Sequence, residues 1–177
     1  EKQIPEHLRL KYRHLFFPQA SRTISQTNFD RLNKCVIIAG CHVNYFSRNE
    51  NYSERIRSVA NLSIHDFIDL YGNNWDKGGL RLGLNPVFRR YKSALMAAYK
   101  GSVIDKSACY SRYDFAICFE NQDSPGYVTE KIFDCLLGGC IPVYKGAPDI
   151  SHYVPRECYI DFNEFRSYSD LVSFLKN

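Results

Sequence analysis

Apolar residues along this chain gather in short runs, separated by polar loops and by stretches of helical period. Cys35-Val36-Ile37-Ile38-Ala39-Gly40 contains no polar side chain, the mark of a strand buried on both faces in a parallel sheet. A polar loop spans 42–52, and Ser53 is placed to cap a helix that runs through Leu62. Residues 66–72 alternate polar and apolar and predict a second strand. A loop-rich stretch, 72–86, leads into a helix over 87–100 with period-3.6 spacing of Phe88, Tyr91, Leu95 and Ala98.

The alternation then repeats. A short helix is expected over 105–113 and a strand over 115–119. An amphipathic helix over 127–137 carries Ile132, Cys135 and Leu136 on one side, and Gly138-Gly139 supply a left-handed stop. Strands over 140–144 and 159–161 and a last helix over 168–176 complete the pattern. Strands alternating with helices predict an α/β domain, a Rossmann-like and mostly parallel sheet flanked by helices. Residues 1–33 fit less well. Pro5 opens a short helix there, Phe16-Phe17-Pro18 ends it, and 19–28 read as a loop. The division expected is a leading segment or linker over 1–33, from a missing or truncated N-terminal domain, and one domain over 34–177.

At 177 residues the chain can bury a core of its own. A net charge of +4, with no Lys/Arg run longer than two, suits small anions and gives no stripe for nucleic acid. The seven cysteines are odd in number, form no CxxC pair and sit mostly in apolar runs. They read as free thiols of a reducing compartment, not as disulfides or a zinc site. No apolar run approaches the ~20 residues that cross a bilayer. GxGxxG and Walker A patterns are both missing.

In open α/β sheets ligands bind beyond the carboxyl ends of strands. Residues 119–131, Phe-Glu-Asn-Gln-Asp-Ser-Pro-Gly-Tyr-Val-Thr-Glu-Lys, occupy such a position. A buried strand ends, a loop turns, and a helix begins whose electropositive tip attracts phosphate. Lys131 in that first turn opposes the helix dipole, at a cost of up to ~1 kcal/mol that an anionic ligand would offset. From the residues alone, Lys131 could equally point to water or pair with Glu130 or Asp134. Tyr127 could be a hydrophobic staple, Glu130 a dipole partner, and Arg57 a surface residue.

Residues 119–148, FENQDSPGYVTEKIFDCLLGGCIPVYKGAP, closely resemble the donor-binding motif of family-10 α1,3/4-fucosyltransferases. The similarity extends to Tyr99-Lys100-Gly101-Ser102-Val103 followed by Lys106, to Ser111-Arg112-Tyr113-Asp114-Phe115, to Tyr159-Ile160-Asp161 followed by Phe165, and upstream to Tyr52 through Arg57 and Phe67 through Gly72. The resemblance implies the C-terminal half of a two-domain GT-B enzyme that transfers fucose from GDP-fucose, with inversion, to a glycan acceptor. It implies that Tyr127, Glu130 and Lys131 contact the nucleotide sugar, with Asn121 at the same pocket. Arg57 is expected on the diphosphate, with Arg55 as its alternative. No metal site and no obligatory cofactor follow, with stimulation by a divalent cation left open. The catalytic base is expected outside this chain. The alternative is a non-catalytic nucleotide-sugar-binding or interaction module without the acceptor side. Membrane association is undecided. The thiols favour the cytoplasm or the inner face of a bacterial membrane, and a Golgi lumen would require a missing N-terminal anchor.

Overall fold

Burial with a period of two on both faces accounts for the uninterrupted apolar run. The computed structural model describes residues 30–42, 49–76 and 84–177. There, strand β1 (Leu32–Ile38) sends Cys35 and Ile37 into one core and Val36 into the other. Strand β3 (Tyr113–Phe119) divides likewise, with Ile117 and Phe119 on one side and Ala116 and Cys118 on the other. With β2 (Ile68–Tyr71), β4 (Ile141–Lys145) and β5 (Ile160–Asp161) they form one sheet in the order β2-β1-β3-β4-β5. Every ladder is parallel, as Cys35 opposite Ile68 and Ile117 opposite Val143 illustrate.

Helices cover both faces. Helices α1 (Tyr52–Ser63), α2 (Pro86–Ala98) and α5 (Tyr168–Lys176) contribute Ile56, Val59, Leu62, Phe88, Leu95, Leu171 and Leu175 to the first core. Helices α3 (Lys106–Tyr110) and α4 (Glu130–Leu137) contribute Cys109, Tyr110, Ile132 and Cys135 to the second. Six of the seven cysteines are buried, Cys158 is exposed, and all are free thiols. Burial pushes the Cys41 thiol up to about 12 and the Cys109 thiol up to about 11.

Several boundaries differ from expectation, each for a local reason. Helix α1 starts at Tyr52, one residue before Ser53, and its N-cap Asn51 spends its side-chain amide on Asp123 Oδ1 at 2.6 Å. Glu50 instead accepts from the Ser53 N–H at 2.9 Å. Helix α4 starts at Glu130 and not at Tyr127, because a turn at Pro125-Gly126 bonds Tyr127 N–H back to Ser124 O at 3.1 Å. Tyr113 opens β3 and does not end α3; its hydroxyl donates to buried Asp69 on β2 at 2.7 Å. That bond also removes the simple polar–apolar alternation expected of β2, since Ile68, Asp69 and Leu70 are all buried. The helix and loop expected within 1–28 lie outside the described residues.

The strand order sets where a ligand can sit. From β1 the chain passes through α1 to β2 on one side, then crosses back through α2 and α3 to β3 on the other. Loops after β1 and β3 therefore diverge, and a crevice opens between them.

Candidate functional site

The crevice is a cavity of about 440 Å³, within the ~300–1,000 Å³ usual for small-molecule sites. Ile37, Ile38, Ile117 and Phe119 form its apolar base at the strand ends. Around it stand Gly40 and His42 after β1, Gly72 and Asn73 after β2, Tyr52 and Arg55 of α1, and Val103 and Lys106 before and on α3. Asn121, Glu130 and Lys131 close the ring from the β3–α4 connection.

Backbone bonds hold these loops in register. Asn51 N–H donates to Asn121 O and Asp123 N–H to Asn49 O, each at 3.0 Å, making a short antiparallel bridge across the cavity rim. Lys145 Nζ anchors the same strap through Asp123 Oδ2 at 2.9 Å. Beyond β2, Gly72 lies at φ +140°, and a Cβ there would stand 1.9 Å from Ala39 O. Only glycine lets the β1 and β2 ends approach this closely.

The two arginines of α1 part company. Arg55 is 5% exposed and reaches across to the end of β3. Its guanidinium donates to Phe119 O at 2.6 Å and to Asn121 Oδ1 at 2.9 Å, and it lies 5.1 Å from the centre of the Tyr52 ring. Burial pulls its pKa down, opposed by Tyr52, Glu120, Tyr127 and Glu50, and a guanidinium stays charged throughout. Arg57, the residue preferred on sequence grounds, points the other way. It pairs with Glu54 at 2.9 Å, and Glu54 in turn accepts from the Tyr168 hydroxyl on α5. Arg57 does not line the cavity; Arg55 does.

At the tip of α4, Lys131 lines the cavity with its side chain 23% exposed. Its ammonium donates to Thr129 Oγ1 at 2.7 Å and to Glu120 Oε2 at 3.0 Å, with Glu130 farther off at 3.9 Å. Glu120 is 0% exposed and also accepts the Thr129 N–H at 2.8 Å and the Thr129 hydroxyl at 2.7 Å. A carboxylate thus already sits against the helix tip and offsets part of both the dipole and the Lys131 charge. Gly146 packs on it so closely that a Cβ would meet Glu120 Cγ at 2.5 Å.

Of the five residues expected at the site, Asn121, Glu130 and Lys131 share the cavity. Tyr127 stands just outside its lining and accepts from Asn121 Nδ2 through its hydroxyl at 3.2 Å. Lys106 belongs to the stretch that resembles the family but is not among the residues expected at the site. It lines the cavity and pairs with buried Asp134 at 3.1 Å. Arg55, Lys106 and Lys131 present three cations to the space, and Glu130 shares the lining. Buried Glu120 and Asp134 pair with Lys131 and Lys106 from behind it, so the cations face the cavity and the partner carboxylates do not line it. Among the described residues no three His, Cys, Asp or Glu side chains cluster as a metal site, and no helix is long and apolar enough to cross a membrane.

The family model described as glycosyltransferase family 10 (fucosyltransferase), C-terminal, matches residues 39–177. The α-(1,3)-fucosyltransferase FucT of Helicobacter pylori is 32% identical over 75 residues, which is 42% of this chain and 16% of that protein. The 4-galactosyl-N-acetylglucosaminide 3-α-L-fucosyltransferase FUT5 of Hylobates lar is 31% identical over 118 residues, covering 59% of this chain and 29% of the relative. The chain therefore spans less than a third of the length of these relatives. Among solved structures, an α1,3-fucosyltransferase with GDP-fucose superposes on 81% of this chain and 34% of its own, with TM-score 0.52 and 22% identity. A second α1,3-fucosyltransferase crystal structure gives a TM-score of 0.55 at 22% identity, over 81% of this chain and 32% of its own. These likenesses show the fold, the C-terminal half of a GT-B glycosyltransferase. With the family model covering most of its length, the chain belongs to glycosyltransferase family 10.

Proposed function

We propose that the cavity between β1 and β3 binds the diphosphate of GDP-fucose, and that this domain is the donor half of an inverting fucosyltransferase acting on a glycan. The observation that carries this reading is the convergence of Arg55, Lys106 and Lys131 on one cavity at the switch point of the sheet. Transfer breaks the bond between the sugar carbon and the β-phosphate oxygen, and the departing GDP gains negative charge. Preorganised cations are worth most where charge develops in a partly desolvated site. Arg55, held by Phe119 O and Asn121 Oδ1, offers a planar fork that suits phosphate oxygens, and Lys131 and Lys106 act as point charges. Glu130, at the rim, is placed to accept from ribose or sugar hydroxyls. Tyr127 would orient Asn121 instead of stacking on the base. The reading needs no bound metal or cofactor.

Inverting transfer also needs a base for the acceptor's proton. Glu120 is fully buried and holds three donors, and Asp123 is occupied by Asn51 and Lys145. Neither carboxylate is available, so the base in this account comes from elsewhere. The same observation favours a second reading, a module that binds the donor without turning it over.

Calorimetric titration separates the possibilities. GDP and GDP-fucose are expected to bind, with UDP and NAD at least tenfold weaker, and turnover with candidate glycans distinguishes the enzyme from the binding module. Equal affinity for all four nucleotides, or none for GDP, would remove the donor assignment.

A further inference from the structure

We propose that Glu120 is a positioning residue, and that its buried carboxylate aims the Lys131 ammonium at the bound diphosphate. This rests on the donor-site reading above. A fully buried carboxylate is expensive unless every lone pair facing protein finds a donor. Here the two oxygens have separate tasks. Oε1 takes the backbone N–H of Thr129, which fixes the N-cap of α4. Oε2 takes the Thr129 hydroxyl and the Lys131 ammonium.

The second set closes a triangle. Lys131 Nζ donates to Glu120 Oε2 and to Thr129 Oγ1, and Thr129 Oγ1 donates to Glu120 Oε2, at 3.0, 2.7 and 2.7 Å. An ammonium has three protons. Two are committed in the triangle, which leaves the third for the cavity that Lys131 lines, where Glu130 Oε1 stands 3.9 Å from the ammonium. A flexible lysine is thereby reduced to one direction before the ligand arrives, which lowers the ordering cost of binding. The design requires a carboxylate specifically. An amide has one acceptor oxygen, so Gln at this position can serve the Thr129 N–H or the triangle, but not both.

The sign of the effect separates positioning from charge. By Coulomb's law alone, removing a carboxylate beside an anion site strengthens anion binding. Positioning predicts the opposite.

The test titrates the wild-type protein and the E120Q, T129V and T129S variants with GDP and with guanosine, which lacks the phosphates. Glu120→Gln is expected to weaken GDP about tenfold, and Thr129→Val, which keeps the charge and shape but loses the hydroxyl, about threefold to tenfold. Thr129→Ser is expected to restore wild-type affinity within about twofold, and guanosine affinity should stay within about twofold throughout. Should E120Q fail to fold, T129V and T129S carry the same prediction. GDP binding that is unchanged or tighter in the variants, or a parallel loss for guanosine, would overturn the positioning role while leaving the donor site intact. Wild-type protein that ignores GDP would remove the donor reading itself.

Discussion

Arg55 and Arg57 stand two positions apart on α1, about 200° around the helix axis at ~100° per residue. One is buried against the end of β3 and the other is half-exposed beside Glu54. The account therefore assigns them different consequences. Arg55→Ala should weaken GDP binding by ~1–3 kcal/mol and lower stability by a similar amount, since Phe119 O loses its buried donor. Arg57→Ala should leave affinity within about twofold and cost ~0–1 kcal/mol of stability, as an exposed ion pair does. Calorimetry and denaturant melts of the two variants check both halves, and equal losses of affinity would contradict the assignment. A signal for this choice did exist in the sequence. Val59 and Leu62 lie four and seven residues after Arg55 and share its apolar face, whereas Arg57 aligns with Glu54 and Asn61. Glu120 offered no such signal. Its burial depends on donors nine and eleven residues downstream, brought back only once the loop has folded.

At the scale of elements, the strands were the most legible parts. β1 and β3 are apolar on both faces because helices cover both faces, and a run of that kind admits few other readings. Helix starts were less so. Pro125-Gly126 and the capture of Thr129 by Glu120 delay α4 by three residues, and the amide of Asn51 serves Asp123 instead of capping α1. Both effects need partners distant in sequence. The junction at Gly72 makes a prediction at this scale. A Cβ there would collide with Ala39 O in a backbone conformation that L residues rarely adopt. Gly72→Ala should destabilise the protein by on the order of 3 kcal/mol and disturb the cavity wall between Ala39 and Asn73, read as a lower denaturation midpoint with weakened GDP binding. A midpoint equal to wild type would show that the β1 and β2 ends can separate freely.

At the scale of the molecule, the parallel α/β class could be read from alternation, but the order β2-β1-β3-β4-β5 could not. Strand order is a matter of which ladders form between segments distant in sequence, such as Cys35 with Phe115, and local period carries no record of it. The order is nonetheless what makes the site, since it separates the loops after β1 and β3 and lets α1, α3 and α4 each deliver one cation to the same space. The motif at 119–131 located one wall; the opposite wall comes from α1 and from the loops after β1 and β2. Convergence of three cations from three helices is the central claim, and the position of the phosphates in a crystal of the GDP complex tests it most directly. The account predicts both phosphates between the Arg55 guanidinium and the Lys131 ammonium, within hydrogen-bonding reach of each, with Lys106 on the same side. Phosphates bound beside Arg57, or anywhere outside the crevice between β1 and β3, would contradict it.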